Sequence, residues 1–499
     1  MRRHQALPDR DVAHVAVIED RDDLVARRNR LDLQEAALRF GPDGQEGFRL
    51  QRIEGTREPA GDPLTLSAGE AVPVDLRFDF PFYGRAYRRV FVHADGSLTL
   101  GRAGPPAVPG LPDLLDGPPR VAAFFAGFDP ARGGTITVRL LADRAVFDWR
   151  DLPGAAQINR NSFQAVLYPT GEIDLLFGTL ETGEGVVGLS PGGALEATAV
   201  DLSASEPGQV QGAFAERFSE TEKVDLVAVA RRFYREHPDL FEQLVVYTTR
   251  PLNPAPGTLA FELNVKNEVL GIGLDQNDDA LDYGSAGALR SLVYMDAIDP
   301  YLDVDGFEIL GHEVAHRWLS RLSFSRDGAT RGDLLGRGAV HWSFFLDSDA
   351  SVMEGNDIED RGGSRFSTGE IARRYSALDQ YAMGLRSAAE VPPFFFVEAP
   401  DDFRPNRGYK ASSGPEPGVS FTGQRRDLHI EDVVAALGPR VPPAGEAPRV
   451  LRQAFILVSD EEAPATETRV TALARIRARF EPWYREATGG RGGVDSTLP

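Results

Sequence analysis

The chain contains no cysteine. Neither a disulfide framework nor a thiolate metal site is available to it, so any metal must be held by His, Asp or Glu. Histidine is also scarce, with 8 among 499 residues, so a local concentration of it carries weight. No run of roughly 18 apolar residues is present to cross a bilayer as a helix. The opening MRRHQALPDRDVAHVAVIED lacks the apolar segment of a secretory signal, which predicts a cytoplasmic location for the chain as written. No long basic run offsets a formal charge of −21, from 54 Lys+Arg against 75 Asp+Glu. Non-specific nucleic-acid binding and docking on an anionic membrane are disfavoured accordingly. Apolar residues are plentiful at 42%, enough to build two or three ordinary cores.

Three regions are predicted: a strand-bearing segment over 1–45, an all-β domain over 46–205, and a mixed α and β domain over 206–499. From Gly47 to Leu202 the text is short apolar runs broken by Gly, Pro and Asp, as in VPVDLRFDFPFYG and TITVRLLADRAVFDWRDLP. Such spacing fits a β-sandwich, and HADGSLTL and YPTGEIDLLF each place a Gly turn between strand-like halves of a hairpin. The joint is predicted at Ser203 to Gln211, after which the period lengthens. ETEKVDLVAVARRFYREHPDLFEQL reads as a helix with Val224, Val227, Ala228, Phe233 and Leu240 apolar. LVVYTT and LAFELNVKNEVLGIG read as strands, the latter edging a cleft where an extended peptide backbone could add on.

The most informative stretch is FEILGHEVAHRWLSRL, read as one helix from Phe307 to Leu322. His312 and His316 stand one turn apart on one face, so both imidazoles can reach a single ion. Glu313 lies beside that face, placed to accept a proton from a water that zinc has acidified while it attacks a carbonyl. The apolar neighbours Ile309, Leu310, Val314, Ala315, Trp318 and Leu319 make unpaired polar side chains costly here, which argues against a chance pattern. A catalytic zinc takes three protein ligands. His341 is the nearest further histidine, with Met353 after it in SVMEG; Asp379 in RRYSALDQYAMGL and Glu354 are the competing third ligands.

Four resemblances attach to these residues. FDFPFYGRAYRRVFVHADGSLTLG, VAAFFAGFDP and NSFQAVLYPTGEIDLLFG resemble the nidogen-type β-sandwich found on bacterial secreted enzymes. HEVAH, then His341, then Met353, is similar in order to the metzincins, although their HExxHxxGxxH spacing is absent. The segment around Asp379 resembles the Asp-bearing ligand segment of the aspzincins. From AFELNVKNEVLGIG to EATGGRGGVDSTL the second half resembles a group of bacterial zincin-like proteins. The resemblances imply an α+β metallopeptidase domain after the sandwich, a zinc ion, a peptide or protein substrate, and an extracellular or periplasmic location. Two further functional classes fit the same residues: a degenerate or structural metal site in a surface-binding protein, and a zinc hydrolase of other amides or esters.

Weaker signals are the acidic stretches Asp275 to Asp282 and Asp347 to Asp360, candidate calcium ligands whose spacing is not that of an EF-hand. Tyr375 and Tyr381 are candidate oxyanion donors. Trp318 and Trp342 flank the motif and read as core. His429 begins an amphipathic helix, while His4, His14, His93 and His237 show no partner pattern.

Overall fold

The computed structural model describes residues 8–21, 23–44, 47–155, 159–204, 208–252, 260–370, 373–401 and 408–499. They form two compact units, one of Arg21–Ala228 and the other of the residues through Asp20 with Val229–Pro499. His4 lies outside the described residues, as do residues 205–207 within the predicted joint.

The first unit is a β-sandwich. Its strand Ala71–Phe82 shows why: Val74, Leu76, Phe78, Phe80 and Phe82 are buried while Asp75, Arg77 and Asp79 between them are exposed, the period of two of a sheet with one wet face. A seven-stranded sheet runs in the order Thr198–Ala199, Phe214–Phe218, Gly185–Ser190, Arg120–Phe125, Ser97–Leu100, Arg85–His93 and Ala71–Phe82. An eight-stranded sheet runs Gly208–Gln211, Gly47–Arg52, Ala37–Pro42, Ile173–Leu180, Asn161–Leu167, Ala145–Leu152, Thr135–Leu140 and Asp62–Leu64. Side chains of both enter one core, where Phe124 meets Phe163 edge-on and Trp149 donates to His93 O at 2.9 Å. Both predicted hairpins are present, Arg85–His93 with Ser97–Leu100 and Asn161–Leu167 with Ile173–Leu180.

The unit is wider than 46–205 at both ends. Ala37–Pro42 pairs with Gly47–Arg52 and with Ile173–Leu180, so a boundary at 45/46 would cut an inner hairpin. Gly208–Gln211 and Phe214–Phe218 also belong to the sandwich sheets. The first 45 residues are divided between the units, since Val15–Glu19 lies in a sheet of the second.

That second unit is built on a mostly parallel sheet. Val15–Glu19, Val450–Ser459, Gln243–Thr248 and Ser291–Ala297 are parallel neighbours, and Phe261–Asn264 adds antiparallel at the edge beside Ser291–Ala297. LAFELNVKNEVLGIG is not one strand: it breaks into Phe261–Asn264 and Lys266–Asn267, followed by a lone bridge from Leu270 to Val441. The helix read through ETEKVDLVAVARRFYREHPDLFEQL is Leu226–Glu236; Val224 sits in a short strand and Leu240 is exposed. A six-stranded sheet contains Trp342–Asp347 and Glu354–Asn356 side by side.

Two helices of this unit meet at the motif. The site helix, Phe307–Ala315, buries Leu310, Val314 and Ala315, and the long helix Glu467–Ala487 buries Val470, Leu473, Ile476, Phe480 and Tyr484 in the same core. Gly311 leaves room for the long helix's side chains, because a Cβ there would overlap the indole of Trp483. The site helix is shorter than the predicted Phe307 to Leu322. The chain tightens at its end, with His316 N–H on Glu313 O and the amides of Trp318 and Leu319 both on Ala315 O. Ser320 then turns left-handed at φ 63°.

Candidate metal centre

The end of the site helix carries His312 and, at its cap, His316; the approach to Trp342–Asp347 carries His341. The three imidazoles converge. His312 Nε2 lies 3.0 Å from His316 Nε2 and 3.1 Å from His341 Nε2. One ligand atom from each residue falls within 4.8 Å of the others, forming the one such His, Asp or Glu group among the described residues.

The protons of this cluster can be placed. His312 Nδ1 is 2.7 Å from Val352 O and His341 Nδ1 is 2.7 Å from Arg337 O. A carbonyl can only accept, so both Nδ1 atoms carry the hydrogen and both Nε2 atoms turn bare lone pairs inward. Burial, the largest cause in each case, drives the rings to the neutral form, lowering His312 to about 4, His316 to about 2 and His341 below its ordinary value. The bare lone pairs of His312 and His341 are open to a donor or a cation: Arg337 Nη2 donates to His341 Nε2 at 2.9 Å, and His316 Nε2 lies against His312 Nε2. Three neutral nitrogens are a donor set that suits zinc, so the residues present fit that ion.

Glu313 is buried, 9% exposed, and burial pushes its carboxyl up to about 7. The Arg337 guanidinium works against that rise, as does a hydrogen bond from the backbone of Glu262 on the edge strand. Glu262 itself is pushed up to about 8, by burial first.

The other candidates lie elsewhere in the arrangement. Asp379 is not in the cluster: it is fully buried on the helix Ala377–Ala382, where it accepts from Trp342 Nε1 at 2.7 Å, Ser351 Oγ at 2.5 Å and Ser376 N at 2.7 Å. Those bonds use its carboxylate and make it a support, because Trp342 follows His341 and Ser351 precedes the Val352 carbonyl that orients His312. Met353 is buried in the turn below, its N–H on Ser351 Oγ and its carbonyl accepting from Trp342 N. Glu354 lies beside His341, at 3.9 Å from Oε1 to Nε2, and is paired with Arg337. Tyr381 and Tyr375 are committed to the scaffold, the Tyr381 hydroxyl accepting from Arg440 N and the Tyr375 hydroxyl donating to Gly311 O. Trp342 is core, and Trp318 is covered by the Arg317 guanidinium. The acidic stretches form no metal group among the described residues; Asp278 pairs with Lys266 and Asp347 accepts from Ile358 N. His429 caps the helix Ile430–Leu437, His14 meets Leu498 O, His93 meets Thr99 and His237 meets Asp11.

Sequence reasoning overlooked Arg337 and Glu262. Arg337 stands four residues before His341 in RGAVH, a spacing that could have flagged it, whereas nothing in FELN marks Glu262 as a neighbour of Glu313.

Residues 52–230 match a family model described as NIDO related, which covers most of the sandwich unit and leaves the histidine cluster outside it. No curated protein and no solved structure matches the chain.

Proposed function

We propose that the second unit is a zinc-dependent metallopeptidase in which His312, His316 and His341 hold the metal and Glu313 is the general base. The observation that carries this reading is the convergence of three imidazole Nε2 atoms, with the Nδ1 hydrogens of His312 and His341 spent on carbonyls. Zinc bound there would polarise a carbonyl and lower the pKa of a water to about 7. Glu313, a buried carboxyl beside the cluster, is the group placed to take that proton and return it to a leaving amine. The surrounding core keeps bulk water from the carboxylate.

A peptide substrate is favoured by the edge strand Phe261–Asn264. It pairs on one side with Ser291–Ala297, and Glu262 in it hydrogen-bonds Glu313 through its backbone. An extended chain laid along its other side would bring an amide carbonyl next to the base. Action outside the cytoplasm belongs to the same proposal; it draws on the resemblance of the sandwich sequence to the nidogen-type domain, and residues 52–230 match the NIDO-related family model. Incubating the purified full-length protein with an unfolded generic protein, with and without a chelator, tests the activity. Chelator-sensitive cleavage is expected; no cleavage of peptides, amides or esters by zinc-loaded protein would leave a structural site as the better reading.

A further inference from the structure

An ion pair stands at the rim of the histidine cluster. Arg337 Nη2 lies 2.6 Å from Glu354 Oε1, with Nε 3.2 Å from the same oxygen. That Nη2 also donates to His341 Nε2 at 2.9 Å. Glu354 Oε1 is 3.9 Å from His341 Nε2, and its second oxygen is buried with no hydrogen-bond partner. The Glu354 side chain is 12% exposed and that of Arg337 is 57% exposed, so a nearly buried carboxylate is neutralised by an arm reaching in from solvent.

The backbone fixes the carboxylate in place. Glu354 has φ 74°, a conformation disfavoured for any residue with a Cβ. Its N–H donates to Ser351 O, and its carbonyl accepts from Ser348 Oγ at 3.0 Å.

A carboxylate oxygen, like an imidazole nitrogen, can be a zinc ligand. Three histidines and a carboxylate make a closed, structural set, while three histidines alone leave a position for water or substrate. We propose that Arg337 is a positioning residue whose ion pair holds Glu354 away from the metal and so keeps the three-histidine set open. This rests on the reading that His312, His316 and His341 hold zinc. Arg337 must give up His341 Nε2 when metal binds, since one lone pair serves one partner, but it can keep Glu354 through Nε and Nη2. Without the guanidinium, Glu354 becomes a buried charge that has lost its ion pair, and a metal held on His341 would lie within its reach, its Oε1 being 3.9 Å from His341 Nε2.

The test uses the full-length protein loaded with cobalt(II), whose visible spectrum reports its ligands, and acetohydroxamate as a probe of the open position. Acetohydroxamate should shift the wild-type spectrum. Arg337→Gln should bind the metal about tenfold or more tightly in competition with a chelator, and its spectrum should not respond to the probe. Adding Glu354→Gln to that variant should restore the response. An Arg337→Gln protein with wild-type metal affinity and a wild-type response overturns the proposal. A wild type that takes up no cobalt overturns the metal site itself and this inference with it.

Discussion

Glu313 is where single-residue chemistry is most exposed to test. Glu313→Gln keeps the size and polarity of the side chain but removes the base, leaving the three histidines untouched. Zinc content should be unchanged while hydrolysis falls at least about a hundredfold, the low end of what general-base assistance contributes. Asp379 gives a second test, because its carboxylate satisfies three buried donors that alanine would strand. Asp379→Ala should lower unfolding stability by roughly 2–4 kcal/mol in a urea titration. Zinc affinity should fall about 10–100-fold as His341 and the Val352 carbonyl lose their support. What could be read from the sequence at this scale follows from distance along the chain. His312, Glu313 and His316 announce themselves because helical spacing alone joins them, and His341 stood out because histidine is rare. The role of Asp379 was hidden: Trp342 and Ser351 reach it only through the tertiary fold, and in isolation its helix reads as an ordinary surface turn with a capping box.

At the scale of elements, the site depends on how closely the site helix approaches the long helix Glu467–Ala487. Gly311 permits that approach, and Tyr375 donates to its carbonyl at 2.7 Å. Gly311→Ala, although a better helix former, should therefore destabilise the protein by about 1–3 kcal/mol through overpacking. Trimming the obstructing ring with Trp483→Leu in the same chain should recover part of the loss. A Gly311→Ala protein as stable as wild type would show that the helices are free to part. The period of the sandwich strand Ala71–Phe82 was legible because it alternates cleanly, whereas Arg120–Phe125 and Asn161–Leu167, buried throughout, were legible only as short apolar runs between turns. The helix ends were not: Trp318, Leu319 and Leu322 keep a helix-compatible apolar spacing, but the chain tightens after Ala315 and then turns left-handed at Ser320.

For the molecule as a whole, two units with separate cores predict separate folding. Residues 21–228 expressed alone should give a β-type circular dichroism spectrum and a cooperative urea transition. Residues 46–205 should not, because they lack the inner strand Ala37–Pro42 and the strand Phe214–Phe218. A cooperative transition from the shorter fragment would contradict this division. The boundary was hard to read because the first 45 residues serve both units, Val15–Glu19 pairing with Val450–Ser459 far along the chain. The central claim, that three histidines hold one zinc ion, is tested most directly by measuring metal content by mass spectrometry on full-length protein purified with zinc supplied. The wild type should carry about one zinc per chain, and His341→Ala should be nearly empty after passage over a chelating resin, since two imidazoles hold zinc poorly. A wild type that emerges without zinc, or a His341→Ala protein that retains all of it, would contradict the account.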